Sequence, residues 1–299
     1  MPLSRPLSRL ALVGSAVAFA MMAVLSRLLS RDAGGFTPGQ LSMIRFVVGA
    51  LVSLAAFRLR PGLYRPHNRR MLAMRGVSGG IVVVLYFIAL SKIPAAEAGL
   101  IYNLYPVFAT AMAAVVFRER PTIHLLAGLL AATGGVWLML GGGGMPAGFG
   151  AGEAAAFGSA VFAAVSANMI RGMRGTDNAA TIFFWFCLAG MPVVAPFCLD
   201  PWPAPGAGWL LAVGMGLCAF LAQLLMTEAY GALAVSEAAV WLQLSPVALL
   251  ILAALILGER ISASAVAGVA LGVAGVAWAT LLGARRPVPA APDGEPPAA

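Results

Sequence analysis

Ten apolar runs of helix length, parted by short polar stretches, occupy nearly all of this 299-residue chain. They fall at about 10–30, 41–57, 73–91, 96–117, 122–140, 154–170, 179–199, 208–228, 235–257 and 263–283. Crossing the hydrocarbon layer of a bilayer takes a helix about 20 residues and a strand about 10. Backbone polar groups in that layer must also be satisfied within the protein, so runs of this length read as helices. Composition agrees: hydrophobic types make up 61% of the chain and charged types 10%, where a soluble domain carries about 25% charge. So little charge cannot dress a water-facing surface, which excludes an ordinary soluble enzyme. The expected fold is an all-α integral membrane protein with ten transmembrane helices.

The net charge of +8 would suggest a nucleic-acid partner if the basic residues shared a free face. They are instead spread over the tails and short connections, and the apolar spans leave no surface for a duplex. With the N-terminus in the cytoplasm, fourteen basic residues fall on the inner side, Arg5, Arg9, Arg75, Arg118, Arg120, Arg171 and Arg174 among them. Arg27, Arg31, Lys92 and Arg260 fall outside, and Arg45 lies within a span. This positive-inside bias puts both termini in the cytoplasm. The first run follows Arg5 and Arg9 as a signal peptide would, but no clear cleavage site follows, so it reads as the first span. Cys187, Cys198 and Cys218 form no C-x-x-C pair, and His67 and His124 stand far apart, so no metal site or cofactor is expected. The glycine-rich stretch 141–153 suits a linker, and 285–299 is too poor in apolar side chains to build a core.

The chain also repeats itself. A constant shift of 140 residues lays 102–128 on 242–268 without a gap, pairing Glu97 with Glu237, Pro106 with Pro246, Glu119 with Glu259, and Arg120 with Arg260. Fourteen of the 55 positions in 86–140 match those in 226–280. Each copy holds five spans, an odd number, so the second copy enters the membrane upside down. The expected architecture is two inverted-topology five-helix repeats, 1–140 and 154–284. Such pairs commonly support alternating access, with the substrate near the midplane between the halves.

These same segments carry a family resemblance. AEAGLIYNLYPVFATAMAAVVFRER and SEAAVWLQLSPVALLILAALILGER, each followed by a glycine-rich helix, resemble the EamA-type carriers of the drug/metabolite transporter superfamily. The family pattern sets a mid-helix proline before a Gly-Glu-Arg-like turn. Pro246 with Gly258, Glu259 and Arg260 matches it, and the first half departs by having Arg118 where glycine is expected. The resemblance covers about 10–283. It implies export of small metabolites from the bacterial cytoplasm through the inner membrane, with amino acids, aromatic ones included, among known cargoes. It also implies a cavity formed mainly by the first, third, fourth, sixth, eighth and ninth helices. The motifs do not choose between amino acids, drugs and other metabolites.

Polar groups inside spans are the default candidates for function. Asn103 and Gln243 are aligned, each three residues before the aligned proline. Their amides suit a zwitterion or a helix–helix hydrogen bond. Pro106 and Pro246 each remove a backbone hydrogen bond and are expected to kink their spans. Tyr86, Tyr102, Tyr105, Tyr230 and Trp241 offer rings with polar handles for a wet cavity or for packing, with Asn168 and Met22 as weaker candidates. Glu97 and Glu237 stand at helix starts, where negative side chains are favoured, and are candidates for proton coupling. Glu228 is placed to pair with an arginine. Arg45 either snorkels to the outer interface or faces a vestibule and attracts a carboxylate. The implied partners are a small-molecule substrate, membrane lipid and, as a candidate, protons; no obligate protein partner is expected. The rival class, a membrane-embedded enzyme, would need a cluster of His, Asp or Ser-base groups, and none is marked here.

Overall fold

The computed structural model describes residues 4–31, 35–93, 98, 101–139, 150–258 and 261–283. Glu97, Glu259, Arg260, most of the 141–153 stretch and the tail from 285 lie outside the described residues, as does the side chain of Arg31. All regular elements among the described residues are helical. The longer ones are α1 (Arg5–Arg31), α2 (Pro38–Leu59), α3 (Arg69–Lys92), α4 (Tyr105–Val116), α5 (Ile123–Met139), α6 (Ala151–Met173), α7 (Ala179–Val194), α8 (Ala207–Ala229), α9 (Val235–Leu242), α10 (Leu244–Leu257) and α11 (Ala263–Gly283). Seven described helical segments are long and apolar enough to cross a membrane, counting Val235–Leu257 as one. Tyr105–Val116 and Ile123–Leu138 are shorter apolar helices. α3 has the length, and carries Arg69, Arg70, Arg75 and Lys92.

Local chemistry sets several helix starts. Thr37 and Gln40 form a reciprocal capping box at α2. Asn68 accepts from Met71 N at 3.0 Å ahead of α3, and Asn178 from Thr181 N at 2.8 Å ahead of α7. The aligned prolines explain the aligned breaks. Pro106 has no N–H for the carbonyl of Tyr102, nor has Pro246 for that of Leu242. The chain tightens just upstream in both places: Leu104 N donates to Ile101 O at 3.1 Å and Gln243 N to Val240 O at 3.2 Å. Asn103 and Gln243 thus sit in the breaks themselves.

Helix contacts follow the repeat. Exchanging α1 with α6, α2 with α7, α3 with α8, α4 with α9–α10, and α5 with α11 carries each main contact onto another. α1·α8 becomes α6·α3, α2·α8 becomes α7·α3, α1·α10 becomes α6·α4, and α5·α11 and α2·α7 become themselves. Glycines give the direction of α5 against α11. A Cβ at Gly128 would stand 2.5 Å from Gly275 O, and one at Gly135 2.5 Å from Gly268 O. Positions 128 and 268 are equivalent, as are 135 and 275, so equivalents cross and the two copies of this helix run antiparallel. Small residues allow this approach, which membrane-embedded packing favours.

The turn after α4 shows the repeat holding against its own sequence. Gly258 has φ of +66° and Arg118, its equivalent, φ of +51°. A side chain in the left-handed region costs roughly 1–2 kcal/mol. Arg118 is exposed, so Arg118→Gly is expected to stabilise the protein by about 0.5–1 kcal/mol. Thermal unfolding in detergent checks this; an unchanged or lower midpoint would show that the arginine side chain contributes more than its backbone costs.

Candidate functional site

Two arginines meet over one ring in the bundle. Arg45 comes from α2 and Arg75 from α3, and both reach Phe186 on α7. The Arg75 guanidinium carbon lies 4.4 Å from the Phe186 ring centroid, and that of Arg45 lies 5.8 Å away. Arg45 also lies 5.5 Å from the centroid of its neighbour Phe46, whose ring meets Phe186 edge-on at 5.0 Å. Arg75 is 4% exposed. Its slot depends on Gly79, one turn along α3: a Cβ there would stand 2.5 Å from Arg75 Nη1 and run into the Phe186 ring.

Tyrosines complete the surroundings. Tyr86 and Tyr102 have centroids 5.1 Å apart, and Tyr102 and Tyr105 5.3 Å apart. The break before α4 turns Tyr102 and Tyr105 toward each other. Tyr102 lies within electrostatic reach of both arginines, and Tyr230 within reach of Arg75, Tyr102 and Glu119. Tyr230 is 1% exposed, just past the end of α8. Arg75 Nε and Nη1 are buried without a hydrogen-bond partner among the described residues. Trp185 Nε1, beside Phe186 in sequence, is likewise without a partner. Buried donors of this kind are uncommon and costly.

The end of the bundle carrying Arg5 is stitched across the two halves. Glu237, in the first turn of α9, accepts from Arg5 Nη2 at 2.6 Å and from Arg9 Nε and Nη2 at 2.9 and 2.6 Å. Its side chain is 8% exposed. Glu119, from the turn after α4, accepts from Val235 N at 3.2 Å and Ser236 Oγ at 3.2 Å, capping α9 of the other half. Asp177 accepts from His67 N at 2.8 Å, and Asn178 Nδ2 donates to Leu63 O at 2.6 Å. Arg174 and Glu228 pair at 2.7 Å within the second half. Separating the halves at this end would part the contacts of Glu237, Glu119, Asp177 and Asn178.

The structure therefore sets Arg45 and Arg75 on the Phe186 ring with Tyr102 and Tyr230 within electrostatic reach, and links Tyr86 and Tyr105 to them through Tyr102. It sends other candidates elsewhere. Gln243 is 2% exposed and donates to Thr133 Oγ1 on α5 at 2.8 Å. Asn168 donates to Ala109 O and Ala164 O at 3.1 and 2.9 Å, tying α6 to α4, while its Oδ1 has no partner among the described residues. Met22 packs on the core of Leu29, Phe36, Leu41, Ile44 and Met215. Trp241 lies between two core clusters. Asn103 is half-buried in its turn and engaged there. Arg45 lies against the rings of Phe46 and Phe186. Arg75, counted above among inner-side charges, is instead buried in the bundle. Its position inside the apolar run 73–91 is the sequence signal that marks it as a site residue. Among the described residues there is no His, Cys, Asp and Glu group able to hold a metal ion.

Comparisons with known proteins agree with this architecture. The EamA-like transporter family pattern matches residues 7–141 and again 150–281. The pseudopaline exporter CntI from two strains of Pseudomonas aeruginosa is 25% identical over 212 residues, covering 69% of this chain and 73% of that protein. A protein of known crystal structure is 26% identical, with a TM-score of 0.74 over 92% of this chain and 99% of that one.

Proposed function

Because the chain belongs to the EamA-like transporter family, we propose that it is a secondary transporter exporting small amphipathic metabolites by alternating access. In this reading ten helices cross the bacterial inner membrane as two inverted five-helix repeats, with both termini in the cytoplasm. The cargo is amino acids and compounds built from them, aromatic ones included. The carrying observation is the crossing of equivalent glycines between α5 and α11. Two copies that run in opposite directions give one chain two related packings, one open to each side. The export function of the pseudopaline exporter supports the outward direction. The seam at Glu237, Glu119 and Asp177 is the contact set that the cytoplasm-facing state would break.

Purified protein in liposomes is expected to exchange labelled phenylalanine, tyrosine or glutamate for the same unlabelled compound. Rates should exceed those of protein-free vesicles at least tenfold. Exchange no faster than in empty vesicles for every amino acid and amino-acid derivative offered would overturn the reading.

A further inference from the structure

We infer that the site takes an amphipathic metabolite bearing two carboxylates, its anionic groups on Arg45 and Arg75 and its apolar body against Phe186 and the tyrosines. This rests on the carrier reading above and names its cargo.

Buried charges elsewhere among the described residues have partners. Glu237 has two arginines. Arg174 has Glu228. Asp177, 2% exposed, accepts from His67 N and from Thr176 Oγ1. Arg45 and Arg75 break the pattern. Among the described residues neither has a carboxylate partner, and their charges act on each other across a shared ring. Guanidinium does not give up its proton in proteins, so the pair remains doubly positive. Their neighbours are π faces and phenol hydroxyls, which carry no negative charge. Cation–π attraction is far weaker than the cost of taking two charges out of water. Among the described residues, two cations held this way lack two anions.

Geometry narrows the class. A guanidinium presents a planar fork of donors that matches the two oxygens of a carboxylate. Arg75 holds Nε and Nη1 buried and without a hydrogen-bond partner. Gly79 keeps the slot open for that fork, and its replacement by a larger residue would push the guanidinium aside. The rings of Phe46 and Phe186 against the pair, with Tyr102 and Tyr230 within electrostatic reach, favour a ligand with an apolar or aromatic body. A zwitterion with one carboxylate satisfies one arginine and brings an ammonium toward the other. A dicarboxylate satisfies both.

The test uses four probes on the purified full-length protein: phenylsuccinate, phenylalanine, phenyl phosphate and phenethylamine. Thermal stabilisation and titration calorimetry read binding, since a ligand of the folded state raises its melting temperature. Phenylsuccinate is expected to bind at least tenfold more tightly than phenylalanine, and phenethylamine not to bind. R75Q and, separately, R45Q should each weaken phenylsuccinate at least tenfold. Both should unfold at the same temperature as wild type or a higher one without ligand, because an unpaired charge, buried at Arg75 and half-buried at Arg45, has gone. R75K, which keeps the charge and loses the fork, should fall between wild type and R75Q. Equal binding of phenylalanine and phenylsuccinate overturns the inference, as does undiminished phenylsuccinate binding by both glutamine variants. Tighter binding of phenyl phosphate than of phenylsuccinate also overturns it, in favour of a phosphorylated cargo. If R75Q fails to fold, R75K and R45Q carry the same comparison. The two readings fail separately. Liposomes that exchange neutral amino acids with no preference for dicarboxylates sink this inference and leave the carrier standing. Tight phenylsuccinate binding without exchange of any compound does the reverse.

Discussion

Replacing Gly135 with valine is expected to destabilise the folded protein by about 3 kcal/mol, lowering its unfolding temperature in detergent by roughly 5–10 °C. The first added atom would stand 2.5 Å from Gly268 O, 2.6 Å from Gly272 N and 2.8 Å from Gly272 Cα. All three are backbone atoms of α11, so no side chain can turn away to make room. The helices must separate along a contact that also includes Gly128 and Gly275. Gly134 is the control on the same helix. A Cβ there meets only Leu271 Cδ2, at 3.8 Å, which is ordinary contact. Gly134→Ala should leave the unfolding temperature within about 2 °C of wild type, because helix propensity favours alanine over glycine. Similar losses from the two substitutions would show that the α5–α11 contact does not set stability.

Glu237→Gln is expected to loosen the end of the bundle that Arg5 and Arg9 close. Exposed ion pairs contribute about 0–1 kcal/mol and buried ones several times more when one partner is removed. With its carboxylate 8% exposed and the arginines at 36% and 26%, this cluster lies between, at about 2 kcal/mol. A change of that size shifts a two-state equilibrium about thirtyfold. A cysteine at Ala113, buried in the core near this end, reports the shift in a background whose three native cysteines are replaced by alanine. Its maleimide labelling rate should rise at least tenfold with Glu237→Gln and remain near wild type with Glu237→Asp. An unchanged rate with Glu237→Gln would mean that the cluster does not hold the end shut.

The helices were legible because lipid imposes a simple demand: an uninterrupted apolar run of fixed length. The breaks were legible because proline has no N–H, and because Pro106 and Pro246 fall on each other. The site was less legible. Arg75 lies two residues inside an apolar run whose beginning is rich in arginine, so by sequence it joins the inner-side charges. Only the angle at which α3 meets α7 turns it onto Phe186, one of fifteen phenylalanines in the chain. Gly79 has no side chain to mark it, yet the space it leaves is what Arg75 fills. Arg45 was visible as a misplaced charge, but its direction depends on which neighbour α2 finds. Sequence spacing gave Asn103 and Gln243 as equivalents. The structure gives Gln243 a partner on α5, Thr133, whose own equivalent is Val273, so symmetry of position does not bring symmetry of bonding.

The closure at Glu237 also carries a cost in time. Arg5 and Arg9 stand 232 and 228 residues from the carboxylate that binds them, and α1 packs mainly on α8 and α10. α1 therefore meets its main neighbours only once synthesis has run past residue 207, where α8 begins. Until then it must wait in the bilayer with Ser15, later bonded to Ala222 O at 2.8 Å, facing lipid or a provisional companion. Docking of α1 is thus governed by helices made long after it, and nascent chains truncated before residue 207 should leave α1 undocked.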